Sequence, residues 1–510
     1  MSAFDVRELL EVAGRGETVA AGRAEPGAAS VPLAETVVSL PAKAISPVVI
    51  AGLVRAAEFA LIVGLGAGLH LLLLRGVVPF GLTYAGAVAG VAALALAAFQ
   101  AAGTYRIGAF RAFFKSAIKL SAGWTLAFLV VAAALVFAKV ADHYSRLWLG
   151  AYFASGLGLL LIGRFALAVV IGAQTRKGRF DRRTAIVGGG SAGEELIAAL
   201  ETQGDSGIRI VGVFDDRNDD RSSDVVAGHP KLGTVSDLVA YARHTRLDLI
   251  VFTIPITAEA RILEMLAKLW VLPIDIRLSA HATKLRLRPR SYSYLGSVPV
   301  LDVFDRPIAD WDVVMKTVFD RCVGMLMLVA LAPVMLGVAA AVMLTSRGPV
   351  LFRQKRHGFN NELIEVFKFR SMYVDACDAG AAKMVTRGDP RVTPVGRFIR
   401  KTSLDELPQL FNVIKGDLSL VGPRPHALQA KAANTLYDQV VDGYFARHKV
   451  KPGITGWAQV NGWRGETDTS EKLQRRVEHD LYYIENWSVL FDLQILLMTP
   501  FALFKTENAY

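Results

Sequence analysis

Four long apolar segments place the strongest constraint on how this chain can fold. They cover residues 47–74, 80–103, 117–139 and 147–172. As a helix, each is long enough to cross a hydrocarbon layer of about 30 Å. None shows the polar face that a helix of a soluble bundle requires, and 53% of all residues are hydrophobic, a high share for a soluble protein. The sequence therefore predicts a bundle of four transmembrane helices within residues 46–175.

Basic residues around these segments predict their orientation. They concentrate in the loop after the second segment and in the stretch after the fourth, at Arg106, Arg111, Lys115, Lys119, Arg176, Lys177, Arg179, Arg182 and Arg183. Because Lys and Arg are rare in translocated loops, both stretches are predicted to be cytoplasmic. With four spans, residues 1–45 are then cytoplasmic as well, and their acids among Ala, Gly and Pro predict a flexible tail.

Residues 181–280 have the pattern of a soluble α/β domain. A predicted strand runs into a glycine-rich turn containing Gly188, Gly190 and Gly193, a helix follows, and a second strand ends at Asp215. This order of strand, G-x-G-x-x-G turn, helix and acid is typical of a Rossmann-like fold. It predicts a bound dinucleotide only weakly, because a tight turn with close packing requires the same glycines. Residues 281–310, rich in Arg, Pro, Ser and Tyr, are interpreted as a linker.

Residues 311–345 form a fifth apolar segment with Pro333 in its middle. A fifth membrane span is one interpretation. However, basic residues flank the segment on both sides, and the part after Pro333 is about 17 Å long as a helix, too short to cross. We therefore favour a helix that breaks at Ala332-Pro333 and enters and leaves through one leaflet. Near the C-terminus, residues 484–504 are apolar but contain Asp492, which favours a helix lying in the membrane interface.

The remaining residues, 346–510, contain the candidate catalytic and substrate-binding residues. The net charge of +11 is compatible with nucleic acid, anionic lipid or phosphorylated substrates. Aromatic residues are not interleaved with the basic clusters, as they are on nucleic-acid-binding surfaces, so lipid and phosphate are favoured. The adjacent acids Asp405 and Glu406 stand between cations and a stiff Pro-Arg-Pro turn, which suits phosphoryl transfer. Hard carboxylate oxygens without a Cys or His cage favour Mg²⁺ over zinc. The candidate substrate-binding residues are Lys368, Arg370, Arg391, Arg400, Arg424 and the turn residues Pro423 and Pro425.

The stretches 400–426 and 448–466, together with the last three residues, resemble the bacterial sugar transferases, which are monotopic polyprenyl-phosphate hexose-1-phosphate transferases. The resemblance implies a multidomain protein of the bacterial inner membrane, in which a mainly α catalytic domain on the cytoplasmic face carries a re-entrant membrane helix. It also implies transfer of hexose 1-phosphate from a UDP-sugar to undecaprenyl phosphate, with release of UMP. Glucose is the favoured sugar and galactose the alternative.

The same resemblance implies roles for individual residues. Asp405 would be the nucleophile that forms a covalent phosphosugar intermediate, and Glu406 would position Mg²⁺. Lys368, Arg400 and Arg424 match family positions that hold phosphates. The membrane break is Ser-Pro in some members, whereas Ala332-Pro333 stands here. A membrane-anchored dinucleotide enzyme or sensor built on residues 181–280 remains the competing interpretation, and homo-oligomerisation stays open.

Overall fold

The computed structural model describes residues 45–203, 207–217, 224–255, 258–279, 293–295, 298–373, 389–426, 431–432, 435–436, 444–463, 465 and 469–504, and every structural statement here concerns these residues. The predicted tail, apart from Ile45, lies outside them, as do residues 281–292 and 296–297 of the predicted linker. The described part contains five helices that are long and apolar enough to cross a membrane, so the chain is a membrane protein.

One compact unit comprises residues 41–182. Its helices are α1 (Pro47–Leu74), α2 (Leu82–Ala101), α3 (Ile107–Arg111), α4 (Phe113–Phe137) and α5 (Arg146–Arg176). The four long helices coincide with the four predicted segments. Their core is aromatic, and its polar ring atoms are satisfied by backbone: Trp148 Nε1 donates to the Gly66 carbonyl at 3.0 Å, and Tyr152 Oη donates to the Ile62 carbonyl at 3.0 Å. Gly66 permits this approach, because a Cβ there would lie 2.7 Å from Val88.

The second unit begins with an α/β domain whose eight-stranded sheet has the order β3-β4-β2-β1-β5-β6-β8-β7. The strands are β1 (Arg182–Val187), β2 (Ile208–Phe214), β3 (Val225–Val226), β4 (His229–Gly233), β5 (Leu249–Phe252), β6 (Asp275–Ser279), β7 (Ser293–Leu295) and β8 (Val298–Phe304), with helices α6 (Ser191–Glu201), α7 (Val235–His244) and α8 (Glu259–Leu269). All four residues of β5 are buried, as expected for a central parallel strand covered on both faces. The predicted α/β domain is confirmed.

The predicted linker is wrong in its second half. Strands β7 and β8 lie within residues 281–310 and extend the sheet by antiparallel pairing of β8 with β6. Alternate residues Val298 and Val300 of β8 are buried, which is the two-residue period of a strand. The Pro, Ser and Tyr residues around them obscured this short pattern.

Helix α9 (Asp310–Thr345) follows, and the break predicted at Ala332-Pro333 is not found. The helix continues through Pro333, because proline removes only one backbone hydrogen bond and the neighbouring turns keep theirs. Both halves of α9 pack on the domain that follows. Val323 and Met327 contact the cluster around Val413, and Val338 and Val342 contact the cluster around Phe369.

The C-terminal domain combines short strands with helices. A hairpin of β9 (Leu351–His357) and β10 (Leu363–Phe369) precedes α10 (Pro394–Lys401) and α11 (Gln409–Lys415). The other elements are β11 (Ser419–Val421), β12 (Lys431–Ala432), β13 (Thr435–Leu436), β14 (Gly453–Thr455), α12 (Trp457–Val460), α13 (Ser470–Glu485) and α14 (Val489–Phe504). Helix α14 buries Asp492 and Ile495 and exposes Leu490, Leu497 and Phe501, so its outer face is apolar.

Candidate active site

Asp405 and Glu406 lie on a short 3₁₀ turn, Leu404–Glu406, between α10 and α11. The chain enters this turn through Ser403, whose φ of 59° lies in the left-handed region. The Ser403 side chain does not cap the turn. The acids are therefore not the first-turn residues of an ordinary capped helix, which was the alternative explanation for this pair.

Glu406 is held by two cations from different parts of the domain. Lys368 Nζ, from β10, donates to Glu406 Oε1 at 2.9 Å, and Arg424 Nη1 donates to Glu406 Oε2 at 3.0 Å. A second guanidinium nitrogen of Arg424 also bonds Oε1. Burial opposes ionisation of Glu406, but Arg424 and Lys368 more than offset it and hold its pKa well below the usual range. Glu406 is thus a permanently charged anchor for the two cations.

Asp405 differs sharply from its neighbour. It is only 9% exposed, and within the described part of the chain its carboxylate accepts no hydrogen bond. Burial, opposed by Lys368 and reinforced by the charge of Glu406, raises the pKa of Asp405 to about 6. At neutral pH Asp405 is therefore mostly an ionised carboxylate that no described residue hydrogen-bonds, which is what a nucleophile requires.

The Pro-Arg-Pro turn that presents Arg424 is tied down along its backbone. The Gly422 amide donates to the Thr455 carbonyl at 2.9 Å, and the Gly453 amide donates to the Pro423 carbonyl at 3.0 Å. A Cβ at Gly422 would lie 2.5 Å from the Lys451 carbonyl oxygen, so only glycine fits there. The Pro425 carbonyl accepts a hydrogen bond from Arg356. The turn is consequently a rigid mount for one guanidinium.

The other predicted cations are dispersed. Arg400 is close enough to Asp405 to lower its pKa. Arg391 pairs with Asp389 at 2.6 Å, and Arg370 donates to the Ser346 carbonyl at 2.7 Å beside the end of α9. Two further N–H groups of Arg370 are buried without a hydrogen-bond partner. The structure thus gathers Lys368 and Arg424 around the acids and does not show Arg370 or Arg391 in contact with them.

Two arginines that sequence reasoning missed stand behind the turn. Arg356, on β9, lies close to Arg424, and burial and that charge lower its pKa to about 10. Arg447 is buried, and its Nη2 donates to the Arg424 carbonyl at 2.9 Å. Burial and the adjacent arginines keep the pKa of His426 well below its usual range, so it stays neutral beside Arg447. The only sequence signal was the alternation of Gln354 and Arg356 along β9, which places both on its inner face.

A second missed group is the buried cluster beneath the turn. Lys316 of α9 donates to Asp492 at 2.6 Å and to the Val421 carbonyl at 3.0 Å. Tyr483 Oη lies 2.7 Å from Asp492 Oδ1 and 3.0 Å from the Val421 carbonyl oxygen, so its hydroxyl donates to one of the two. This cluster joins α9, α13 and α14 to the residue that precedes Gly422, so it supports the active-site turn from the membrane helix.

The site is compatible with a Mg²⁺ ion whose ligands come from both the protein and the substrate. No group of three or more acidic, His or Cys side chains able to hold a metal occurs among the described residues. A protein-only cage is therefore absent there. Asp405 and Glu406 still supply hard oxygens, and Mg²⁺ usually binds through one or two carboxylates together with substrate phosphates.

The glycine-rich turn of the α/β domain is closed by its own residues. Asp215 accepts a hydrogen bond from the Gly189 amide at 2.8 Å and pairs with Arg217 at 2.7 Å. These bonds, from Arg217 above all, outweigh burial and lower the pKa of Asp215 to about 2. In a dinucleotide-binding domain this acid would bind a ribose hydroxyl, whereas here Asp215 is already engaged by the protein. The glycines have packing reasons of their own, since a Cβ at Gly193 would lie 2.6 Å from the Gly188 carbonyl oxygen.

Comparison with known proteins finds two families along the chain. Residues 311–506 match the family described as Bacterial sugar transferase, and residues 100–280 match a family described as CoA-binding domain. The chain is 41% identical over 363 residues to an undecaprenyl-phosphate glucose phosphotransferase of Komagataeibacter xylinus, which covers 69% of this chain and 65% of that protein. Over 387 residues it is 38% identical to a UDP-glucose:undecaprenyl-phosphate glucose-1-phosphate transferase of Escherichia coli (strain K12), with 76% of this chain and 81% of that protein covered.

A shorter match shows how far the sugar varies. Over 169 residues the chain is 44% identical to a UDP-N-acetylgalactosamine-undecaprenyl-phosphate N-acetylgalactosaminephosphotransferase of Aeromonas hydrophila, covering 33% of this chain and 38% of that protein. High identity over a stretch of this length therefore does not by itself distinguish a glucose donor from an N-acetylated one.

Proposed function

The chain belongs to the bacterial sugar transferase family, as its motifs predicted, and on that premise we propose that it transfers glucose 1-phosphate from UDP-glucose to undecaprenyl phosphate, releasing UMP. The step would begin exopolysaccharide synthesis. The observation that carries the proposal is the contrast between the two acids: Glu406 is paired with two cations, while Asp405 is buried, ionised at neutral pH and without a hydrogen-bond partner among the described residues.

Asp405 attacks the phosphorus that bears the sugar. One carboxylate oxygen forms a bond to this phosphorus, and the bond to the bridging oxygen breaks, so UMP leaves with the electron pair. The acyl phosphate then reacts with an oxygen of undecaprenyl phosphate. That attack breaks the acyl–phosphorus bond and regenerates the carboxylate. Because each phosphate acts in its own half-reaction, the site never has to bind donor and acceptor together.

The cations around Glu406 serve the charge that spreads over the phosphoryl oxygens during each attack. Arg424 presents a planar pair of N–H groups, and Lys368 provides a second positive charge at Glu406 Oε1. Glu406 keeps both in place before substrate arrives, so little reorganisation is required. We also propose that Asp405 and Glu406 would hold Mg²⁺ when the donor is bound, and that the ion would supply positive charge near the diphosphate.

We propose that α9 bends at Pro333 while remaining one helix, and that both of its ends lie on the cytoplasmic face of the inner membrane, so that it enters and leaves through one leaflet. Two observations support this arrangement. The same C-terminal domain packs along both halves of α9, from Lys316 to Val342. The opposite side of the helix exposes a row of apolar side chains that includes Leu326, Val329 and Leu336, as a surface in contact with lipid would.

Thiol labelling tests this topology. In a background with Cys322 and Cys377 replaced by serine, Asp312→Cys and Thr345→Cys are both expected to resist an impermeant reagent in intact cells and to react after lysis. Labelling of the Thr345 site alone in intact cells would show a fifth span, and the catalytic domain could then no longer reach cytoplasmic UDP-glucose.

A panel of donors tests the reaction. Purified full-length protein in lipid nanodiscs is given undecaprenyl phosphate and UDP-glucose, UDP-galactose, UDP-N-acetylglucosamine or UDP-N-acetylgalactosamine, and UMP release is measured. UDP-glucose should give the highest kcat/KM. A preference for an N-acetylated donor would contradict the sugar assignment, and release of UMP from none of them would contradict the proposed function.

A further inference from the structure

Among the described residues, the α/β domain contacts the catalytic domain at the 3₁₀ turn Tyr444–Lys449 and at the neighbouring Asn360. Asn360 Nδ2 donates to the Ala242 carbonyl, at the end of α7, at 3.0 Å. The guanidinium of Arg243 lies over the ring of Phe445 at 4.6 Å. These contacts bring the C-terminal end of α7 to the catalytic domain.

Lys449 makes the most specific contact of this surface. Its ammonium lies 5.1 Å from the ring centre of Trp270, just after α8, and 5.8 Å from that of Phe304, at the end of β8. Lys449 is half-buried, and burial lowers its pKa to about 8. An ammonium partly shielded from water is held more strongly by aromatic rings than a fully exposed one.

The same turn reaches the active site from its other side. Arg447, two residues before Lys449, donates to the Arg424 carbonyl at 2.9 Å and pairs with Asp480 at 2.5 Å. Arg424 in turn bonds Glu406. A continuous path of direct contacts therefore leads from Trp270 through this turn to the cations beside Asp405.

We propose that the α/β domain acts as a positioning element for the transferase site, with Lys449 and Arg447 as the positioning residues. This inference rests on the proposed function and adds a role for residues 183–304. Trp270 and Phe304 hold Lys449, and Lys449 fixes the turn. Through Arg447 the turn then holds Arg424 in its pair with Glu406. A ligand or variant that shifts the end of α8 would therefore change turnover without touching the substrate.

The test uses the full-length protein in nanodiscs with the variant Lys449→Met, which keeps the aliphatic stem on the rings and removes the charge. Lys449→Arg is the rescue variant. Lys268→Met is the matched control, because Lys268 also lies near the end of α8 but pairs only with the exposed Glu264. We expect Lys449→Met to lower kcat for UMP release about three- to tenfold, with KM for UDP-glucose within about twofold of wild type. Lys449→Arg and Lys268→Met should stay close to wild type.

Two further readouts separate positioning from simple destabilisation. The effect of Lys449→Met should largely disappear in an Arg424→Lys background, since the two residues act in one path. Hydrogen exchange in residues 419–426, measured without substrate, should speed up in Lys449→Met and not in Lys268→Met. Additive effects, or unchanged kcat and exchange in Lys449→Met, would overturn the inference. If exchange changes as expected but no variant releases UMP, the proposed function fails and the positioning role stands.

Discussion

Replacing the proposed nucleophile should abolish transfer and at the same time stabilise the protein. Asp405 has a pKa of about 6 in the folded protein against an ordinary value of 3.8. The folded state therefore holds this proton more tightly than the unfolded state. For an acid with a raised pKa, the free energy of unfolding falls as the pH rises from 3.8 to about 6 and is constant above that.

The size of this effect follows from the shift. At about 1.4 kcal/mol per pKa unit, a shift of roughly 2 units means that the ionised Asp405 lowers the free energy of unfolding by about 3 kcal/mol at pH 7. Asp405→Asn keeps the shape and removes the charge. The variant should recover most of that amount at pH 7, about half of it at pH 5, and little at pH 4.

Thermal unfolding in nanodiscs measures the difference. For a domain of this size, about 3 kcal/mol corresponds to a rise in Tm of roughly 6–12 °C. Asp417→Asn is the control, because Asp417 is partly exposed and pairs with the exposed Lys415. An Asp405→Asn variant whose Tm at pH 7 is equal to or below that of wild type would refute the reasoning. So would a gain in Tm that does not shrink as the pH falls.

Three other measurements examine neighbouring groups. Glu406→Gln leaves the half-buried cations Lys368 and Arg424 without their counter-charge, so it should lower the free energy of unfolding by about 2 kcal/mol and also reduce the rate of transfer, in contrast to the stabilising Asp405→Asn; unchanged stability would contradict the anchoring role. UMP release in a single turnover should be half maximal near pH 6 and fall about tenfold per unit below it, as Asp405 takes up its proton; a flat profile between pH 5 and 8 would contradict the raised pKa. Lys316→Met removes the cation that Asp320 and Asp492 share and should destabilise the protein by about 3–5 kcal/mol in thermal unfolding, whereas Asp492→Asn should cost less, because Lys316 still pairs with Asp320; equal losses would contradict this arrangement.

Features that depend on residues close together in the sequence were predictable. Four uninterrupted apolar segments gave four helices, and alternating strands and helices gave the α/β sheet, because each pattern is repeated over many residues. The pairing of Asp405 and Glu406 with nearby cations was also visible. The separate roles of the two acids, however, were inferred only from the family resemblance.

Features set by long-range contacts were not predictable. Lys316 and Asp492 are 176 residues apart in sequence, and nothing in either segment announces the other. Arg391 was predicted to bind substrate because it is a cation in a motif-rich segment. The structure pairs it with Asp389, two residues away. The continuity of α9 through Pro333 was missed because tertiary packing on both sides of a proline outweighs the loss of one hydrogen bond.

The central claim is that Asp405 becomes covalently bonded to the sugar phosphate. It is tested most directly by incubating the full-length protein in nanodiscs with UDP-glucose and Mg²⁺, without undecaprenyl phosphate, and mapping the modified peptide by mass spectrometry after rapid acid quenching. Wild type should carry one glucose phosphate, joined with loss of water, on Asp405. Undecaprenyl phosphate should remove it, and Asp405→Asn should never acquire it. Turnover without any adduct, or an adduct on a different residue, would contradict the account.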